Sequence, residues 1–315
     1  MVTSGKIDWV CNHGEEYLKP EKRNPPMVMA HKSAWVEYSP LGVLGVIAPW
    51  NYPFHNLYNH IISGLFTGNA VVVKVSEHSA WCAEYYIRII QQVLATMGYP
   101  PRLVSLVQGF SEAGSALVSG GVDKVIFTGS PGVGKHVMRG AAETLTPVVL
   151  ELGGKDPFIV TENADLSQTV QIAIRGAYQN CGQNCVGAER FFVYESVYEE
   201  FVESAAQIVR GMKQGPAVLK NGKWNHVDIG ATTTSFQLQH VKKMVDEAVS
   251  QGARVVCGGK INKSEELKMQ DGENGLFFEP TVLADVTEDM HIAQEEVFGP
   301  VMTMIKGKIL VPMQK

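Results

Sequence analysis

Residues 44–75 read LGVIAPWNYPFHNLYNHIISGLFTGNAVVVKV, and their pattern predicts a strand, a helix and a second strand in succession. The apolar run Leu44–Ile47 and the β-branched run Ala70–Val75 have the composition of buried strands. Between them, Tyr52–Phe66 is long enough for a helix. A strand, a helix and a strand in this order form a βαβ unit, in which the two strands lie parallel. The stretch therefore predicts an α/β fold with a parallel sheet.

The same alternation continues along the chain and predicts two doubly wound parallel-sheet domains, with a glycine-rich boundary near residue 153. Before it, the remaining predicted strands are 103–107, 124–127 and 148–150, and the helices are 80–97, 113–119 and 134–143. After it, the predicted strands are 158–160, 191–194 and 255–257, and the helices are 166–180, 197–212 and 232–250. The first residues are predicted as a helix over 7–18, a loop over 19–26 and extended chain over 28–38.

Length and composition favour a globular protein of about two domains. The chain has 315 residues, of which 45% are apolar and 19% charged, and its formal net charge is -5. A nucleic-acid-binding surface would need a basic excess, and a membrane span would need roughly 18 consecutive apolar residues, so neither partner is predicted. The 5 cysteines are an odd number, which favours free thiols and a reducing, cytoplasmic location over a disulfide framework.

A glycine-rich turn follows the predicted strand 124–127. Residues 129–136, GSPGVGKH, match the phosphate-loop pattern GxxxxGK, but His136 stands where a magnesium-binding Ser or Thr is expected. The dinucleotide pattern GxGxxG also fails, because Val137 takes the place of its last glycine. Small residues before a helix N-terminus can still bind a phosphate through backbone N–H groups. On this motif alone, a nucleotide hydrolase, another phosphate site and an ordinary tight turn all remain open.

Three side chains suit carbonyl chemistry. Cys185, among small and polar residues, is a candidate nucleophile, although a lone cysteine is more often a small core residue. Glu151, at the end of an apolar strand, could act as a general base if it is partly desolvated, or be a surface residue beside a turn. Asn51 could donate to an oxyanion or simply belong to a turn. No second pair of ligands accompanies Cys181 and Cys185, so no metal site is predicted.

Six motifs, in order, resemble those of the aldehyde dehydrogenase superfamily. They are PWNYP with Asn51, VVKVSE with Lys74 and Glu77, FTGS with Ser130 and the following Gly134, LELGG with Glu151, GQNC with Cys185, and EEVFGP with Glu296 and Phe298. The resemblance extends from about Ala34 to about Met304. It implies a cofactor-binding and a catalytic α/β domain, and the NAD-dependent oxidation of a small-molecule aldehyde to a carboxylic acid.

The resemblance also implies a role for each matching residue. Cys185 would form a thiohemiacetal and then a thioester, Asn51 would hold the oxyanion with the backbone N–H of Cys185, and Glu151 would activate the hydrolytic water. Lys74 and Glu77 would bind the adenosine ribose of the cofactor, and the Glu77 carboxylate would repel the 2′-phosphate of NADP. The other implied cofactor-binding residues are Trp50, Gly109, Ser130, Gly134, Gly153, Glu296 and Phe298. Cys181 is predicted to lie one helical turn before Cys185. It would line the substrate funnel or form a disulfide with Cys185.

The resemblance divides the chain into four segments. Residues 1–39 would be an N-terminal remnant with a segment like the family's oligomerisation hairpin, 40–153 the NAD-binding domain, 154–305 the catalytic cysteine domain, and 306–315 a divergent tail. Family members extend further in both directions, so the sequence is expected to be truncated at both ends, and a homo-oligomer is expected of the family. Two alternatives to an active dehydrogenase are an inactive fragment that binds or regulates full-length partners, and a phosphate-loop nucleotide hydrolase.

Overall fold

The computed structural model describes residues 2–219, 221–267 and 275–307. The chain divides into two compact units, residues 1–152 and 153–315. Each unit contains one five-stranded sheet with helices packed on it. The predicted α/β fold class is therefore confirmed.

The first unit alternates strands and helices as predicted. Its elements are α1 (Val2–Tyr17), β1 (Glu21–Arg23), β2 (Ala34–Val36), β3 (Val43–Ala48), α2 (Pro53–Phe66), β4 (Ala70–Val75), α3 (Ala80–Thr96), β5 (Val104–Val107), α4 (Ser111–Ser119), β6 (Lys124–Gly129), α5 (Pro131–Ala142) and β7 (Val148–Leu152). The large sheet has the order β5-β4-β3-β6-β7, and all neighbouring strands in it are parallel. This is the doubly wound arrangement that the sequence predicts.

The core of the first unit forms where α2 covers the middle of the sheet. Leu57 and Ile61 lie on one face of α2, four residues apart, and both are fully buried. They belong to one apolar cluster with Val46 of β3 and Val73 of β4, which pair with each other across the sheet. Because β3 and β4 are central strands, their apolar runs are buried on both sides of the sheet.

The N-terminal segment differs from its prediction. The predicted loop 19–26 contains β1, which pairs antiparallel with β2, and Met27–Met29 in the predicted extended stretch forms a turn of 3₁₀-helix. The sequence of β1, Glu-Lys-Arg, has no strand composition, so the backbone bonds to β2 decide its conformation. Met27 and Val28 between the two strands are 93% and 87% exposed.

The second unit has a mixed sheet. Its elements are β8 (Asp156–Val160), α6 (Leu166–Tyr178), β9 (Ala188–Tyr194), α7 (Tyr198–Arg210), α8 (Ser235–Ser250), β10 (Arg254–Cys257), β11 (Thr281–Ala284), α9 (His291–Gln294) and β12 (Val301–Gly307). The order is β10-β11-β12-β9-β8, and β10 pairs antiparallel with β11. The prediction of an entirely parallel sheet is wrong at this edge. A strand at an edge has only one neighbour to satisfy, and antiparallel edge strands on parallel sheets are common.

The core of the second unit holds the largest buried side chains of the described ranges. Tyr198, Phe191 and Phe201 are fully buried between the sheet and its helices. The Tyr198 hydroxyl donates to the backbone oxygen of Met304 and accepts from the Asp285 N–H, so its polar atom is satisfied. The predicted boundary between residues 305 and 306 falls inside β12, and residues 308–315 of the predicted tail lie outside the described residues. Every helix in the described ranges falls short of what crossing a bilayer requires.

Candidate active site

In the first unit, the predicted site residues lie along the carboxyl edge of the sheet. β3 stands between β4 and β6, so the chain winds outward from it in two directions, and ligands of open α/β sheets bind beside the carboxyl ends of the strands at such a point. Trp50 and Asn51 follow β3, and Ser130 follows β6. The structure therefore brings the PWN motif and the glycine-rich turn to neighbouring strand ends.

Glu151 lies in β7, in register with Thr128 of β6. It is exposed, because β7 is the edge strand of the sheet. The partial desolvation that the base hypothesis supposed is therefore not found at this carboxylate. A carboxylate at this position is accessible to water, which is the molecule that a hydrolytic base must contact.

Asn51 has its amide oriented by α2. Its Oδ1 accepts a hydrogen bond from Nδ2 of Asn56 at 3.0 Å. Asn56 lies in the first turn of α2, where its own backbone N–H donates to the oxygen of Tyr52 at 2.9 Å. Because the oxygen of the Asn51 amide faces Asn56, the donor end of the amide is turned away from it. Asn56 was not predicted as a site residue; its signal in the sequence is its place in the first turn of the helix that follows Asn51.

Lys74 and Glu77 form an ion pair at the carboxyl end of β4. Lys74 Nζ lies 3.8 Å from Glu77 Oε2, with the lysine side chain 9% and the glutamate side chain 39% exposed. The strand holds the lysine in the sheet interior, while the following turn places Glu77 at the surface. A fixed ammonium donor beside a carboxylate acceptor suits the hydroxyl groups of a sugar.

The glycine-rich turn is the N-terminus of α5. Ser130 is the N-cap residue, and its hydroxyl accepts from the Val133 N–H at 3.5 Å. Gly134 is buried, and a Cβ there would meet the Leu152 side chain at 2.9 Å, so this glycine permits close packing of α5 on the sheet. Gly109, after β5, has φ +137°, a conformation that favours glycine. The first-unit motifs thus present a serine and a helix N-terminus at the sheet edge.

In the second unit, the predicted residues lie at the amino edge of the sheet. Gly153 precedes β8, Cys185 precedes β9, and Glu296 precedes β12. These three strands are adjacent and parallel, in the order β12-β9-β8. Parallel neighbours start at the same edge, so three motifs separated by more than 30 residues each meet there.

The loop that bears Cys185 begins with a left-handed turn. Asn180 and Cys181 have φ values of 57° and 60°, and Gly182 follows at 70°. The helix α6 has already ended at Tyr178, so the prediction that Cys181 lies one helical turn before Cys185 is wrong. Cys181 is 3% exposed within the apolar core, and burial raises the pKa of its thiol to about 12. Its position is that of a core residue rather than of a funnel wall.

Gln183 anchors the same loop from inside. It is 3% exposed, its Nε2 donates to the Asn180 oxygen at 3.0 Å, and its Oε1 accepts from the Thr233 N–H at 2.8 Å. These bonds satisfy a buried amide and connect the Cys185 loop to the segment that precedes α8. Gln183 belongs to the GQNC motif, but no role was predicted for it.

Cys185 is half-buried, and its surroundings oppose ionisation. Burial raises the pKa of its thiol, and the carboxylates of Glu296 and Asp156 raise it further. The backbone N–H groups of Cys185 and Val186 act in the opposite direction, but the net direction is upward. The sulfur therefore keeps its proton at neutral pH unless a base takes it.

Glu296 lies against Gly153. A Cβ on Gly153 would collide with both carboxylate oxygens of Glu296, so only glycine leaves room for the carboxylate in its present position. Oε1 of Glu296 is buried and has no hydrogen-bond partner among the described residues. Burial first, and then repulsion by Glu189, raise the pKa of Glu296 to about 7. A buried carboxylate oxygen that lacks a donor is an acceptor site for a ligand hydroxyl.

Glu189 and Lys155 form a buried ion pair that sequence analysis missed. Lys155 Nζ lies 2.7 Å from Glu189 Oε2, and each side chain is 7% exposed. Burial lowers the pKa of Lys155, although the Glu189 charge opposes this shift. The Glu189 carboxylate also accepts the N–H groups of Val297 and Phe298. In the sequence, the only signs of this pair are a glutamate four residues after Cys185, to which no role was assigned, and a lysine directly after LELGG.

Comparisons with known proteins agree on one family. Residues 2–310 match the aldehyde dehydrogenase family. An aldehyde dehydrogenase-like protein of Schizosaccharomyces pombe is 38% identical over 309 residues, which cover 98% of this chain and 57% of that protein. The crystal structure of Mycobacterium tuberculosis aldehyde dehydrogenase complexed with NAD+ is similar with a TM-score of 0.85 at 32% identity, over 98% of this chain and 60% of that one. An Escherichia coli NADP-dependent enzyme is similar with a TM-score of 0.84 at 30% identity, over 97% and 60%. The chain thus spans somewhat more than half the length of these relatives.

Proposed function

The chain belongs to the aldehyde dehydrogenase family, and on that basis we propose that it oxidises an aldehyde to a carboxylic acid with NAD as the oxidant. The observation that carries the proposal is the half-buried Cys185 thiol at the amino edge of the second sheet. Cys185 precedes β9, and the LELGG and EEVFGP motifs precede its two neighbours, β8 and β12. We take the first unit as the cofactor-binding domain and the second as the catalytic cysteine domain.

The residues present fit a nicotinamide dinucleotide. Glu296 Oε1 is a buried acceptor with no donor among the described residues, which suits a ribose hydroxyl, and Gly153 leaves room for its carboxylate. Lys74 and Glu77 supply a donor and an acceptor for the adenosine ribose. Ser130 is the N-cap of α5, whose N-terminus would bind the phosphates. Trp50, Gly109, Gly134 and Phe298 are proposed as further cofactor-binding positions. When bound, the cofactor accepts the hydride that the oxidised carbon loses.

Cys185 is proposed as the nucleophile. Its thiol proton passes to a base from solvent, its sulfur bonds to the aldehyde carbon, and the carbon–oxygen π bond opens so that the carbonyl oxygen becomes an oxyanion. The Cys185 N–H and the Asn51 amide are proposed as the donors to that oxyanion, and Asn56 supports the role because it orients the amide. Because burial and two carboxylates raise the pKa of the thiol, deprotonation needs a base, and it is favoured at alkaline pH.

Glu151 is proposed as the base for hydrolysis. After hydride loss, the carbon is bound to Cys185 as a thioester. Glu151 takes a proton from water, the water oxygen bonds to the thioester carbon, and the carbon–sulfur bond breaks to release the carboxylic acid and the Cys185 thiolate. The exposure of Glu151 in an edge strand supports contact with water.

NAD is proposed over NADP because of Glu77. Its side chain is 39% exposed at the carboxyl end of β4, where a carboxylate accepts from a ribose 2′-hydroxyl and repels a 2′-phosphate. The similar structures include one complexed with NAD+ and one of an NADP-dependent enzyme, so the proposal assigns Glu77 the choice between the two cofactors.

The proposal is tested by following NADH formation from aldehyde and NAD by the purified chain. Cys185→Ser should abolish it, while Cys82→Ser, which changes a thiol in α3, should leave it intact. NAD should also raise the melting midpoint of the chain, since a ligand that binds only the folded state stabilises it. Activity that survives Cys185→Ser, or a wild-type chain that neither forms NADH nor is stabilised by NAD, would contradict the proposal.

A cytoplasmic location and assembly into a homo-oligomer are proposed as well. The strongly exposed Met27 and Val28 between β1 and β2 support a contact between copies, because neighbouring exposed apolar side chains form a patch that a partner can cover. Sedimentation of the wild-type chain and of Met27→Lys tests the assembly. A monomer at every concentration would contradict it.

A further inference from the structure

The segment 296–298 is held from two sides. On one side, α8 supplies donors to its carbonyl groups: Gln237 Nε2 donates to the oxygens of Val297 at 2.9 Å and of Phe298 at 3.0 Å. On the other side, a single carboxylate accepts its N–H groups. Glu189 Oε2 accepts from Val297 at 2.8 Å, and Oε1 accepts from Phe298 at 2.8 Å. Each oxygen of one side chain therefore fixes one peptide group of the segment.

Glu189 is itself rigidly placed. It is 5% exposed and belongs to β9, whose neighbours are β8 and β12. Its backbone oxygen accepts from the Thr303 hydroxyl of β12, and its Oε2 also accepts from Lys155 Nζ at 2.7 Å. A buried carboxylate with three charge-assisted hydrogen bonds has little freedom, and its position is transmitted to the groups that donate to it.

The backbone of Phe298 needs such support. Its φ is 53°, in the left-handed region that residues other than glycine seldom adopt. This strained residue follows Glu296 by two positions, so the direction of the Glu296 carboxylate depends on the peptide groups between them. Charge alone would drive the two glutamates apart, because Glu189 raises the pKa of Glu296 by repulsion. The hydrogen bonds and the Lys155 ammonium hold both in place.

We propose that Glu189 is a positioning residue, which fixes the Glu296 carboxylate for the cofactor ribose by accepting the N–H groups of Val297 and Phe298. The inference rests on the proposed function only for the identity of the ligand. The position of the segment is a property of the chain without cofactor. A cofactor site on this unit therefore depends on a residue that itself contacts no ligand.

The variant Glu189→Gln removes one hydrogen-bond acceptor and the charge while keeping the size of the side chain. Glutamine has the same length but only one acceptor oxygen, so one of the two N–H groups must face an amide NH₂. Hydrogen exchange measured on the full chain without NAD should rise by about 10- to 100-fold at whichever of Val297 and Phe298 faces the NH₂ group, the factor expected for losing a hydrogen bond to a charged group. Glu200→Gln, at an exposed position of α7, should change nothing. Glu189→Asp keeps the charge, but its side chain is too short to reach both N–H groups, so it should also raise the exchange. It replaces the glutamine variant in this test if that variant does not fold.

The link to the cofactor is tested by NAD binding in the single and double variants. Glu189→Gln and Glu296→Gln should each raise the Kd for NAD about tenfold or more, and Glu189→Gln should add nothing in the Glu296→Gln background, since it acts through that side chain. Unchanged exchange at residues 297 and 298, or effects on Kd that simply add, would overturn the inference. A wild-type chain without NAD affinity overturns the proposed function instead, and hydrogen exchange then decides the role of Glu189 alone.

Discussion

Lys155 Nζ lies 2.7 Å from Glu189 Oε2, and both side chains are 7% exposed. The two residues are 34 positions apart, but they flank the start of two paired strands, because Asp156 of β8 is in register with Ala188 of β9. Burial of two charges is costly, and the pair is favourable only because further hydrogen bonds satisfy the carboxylate. Removing one partner is therefore more damaging than removing both.

Lys155→Met should destabilise the chain by about 3–5 kcal/mol, because it leaves the Glu189 carboxylate buried without its cation. The double variant Lys155→Met, Glu189→Gln should lose less than the single variant, since it leaves no unpaired charge. Urea unfolding measures both. Lys243→Met, in an exposed pair with Glu247, is the control and should have no measurable effect. A double variant less stable than Lys155→Met would refute this account of the pair.

Gly153→Ala should weaken NAD binding about tenfold, a loss of about 1.4 kcal/mol, because the new methyl group collides with the Glu296 carboxylate and displaces it. Isothermal calorimetry measures the Kd. Gly230→Ala is the matched control in the same unit, since nothing lies within 4 Å of a Cβ there. Equal NAD affinities of the two variants would show that Glu296 does not bind the cofactor.

Glu296→Gln should accelerate the alkylation of Cys185 by iodoacetamide at pH 8. The Glu296 carboxylate raises the pKa of the thiol, so its neutralisation lowers that pKa and increases the thiolate fraction at a fixed pH. Mass spectrometry of the Cys185 peptide follows the rate. Cys181, whose pKa is raised to about 12 by burial, should remain unmodified while the chain is folded. A rate that stays the same, or falls, would contradict the assigned electrostatics.

Glu77→Gln should shift the cofactor preference toward NADP about tenfold, because it removes the charge that would repel a 2′-phosphate and leaves the Lys74 ammonium beside it. The ratio of kcat/KM for the two cofactors is the measurement. Glu112→Gln, an exposed position in the first turn of α4, controls for a general loss of negative charge. If the ratio responds equally to both substitutions, Glu77 does not contact the ribose.

Acid should destabilise the first unit through His60. Burial, together with the nearby charges of Lys6 and His55, lowers the pKa of His60 to about 4. The unfolded chain then binds a proton at a higher pH than the folded chain, so stability is lost as the pH falls from about 6.5 to about 4, reaching roughly 3 kcal/mol. Melting curves across this pH range should show the loss, and His60→Gln should flatten it. Substitution of the exposed His226 should leave the slope unchanged.

The strands and helices with strong patterns were predictable, and those without were not. Ala70–Val75 and Pro53–Phe66 match their predictions within a residue, because apolar periodicity and flanking turn residues mark them. β1 lacks such signals and exists because β2 pairs with it, whereas the short apolar runs of β11 and β12 were not predicted as strands. The direction of β10 also depends on its neighbour alone. Pairing of strands is a tertiary property that composition does not record.

The family, the α/β class and the residue types of the candidate site can all be recognised in the chain alone, because motif chemistry such as GQNC or LELGG is local. The residues that support these motifs are set by folding. The folded chain places Asn56 on the Asn51 amide, buries Cys181 in the core behind a left-handed turn, and joins Glu189 to Lys155 and to the Phe298 N–H. The contacts of Glu189 depend on parallel strands that start at one edge of a sheet, which brings together residues that are far apart in the chain.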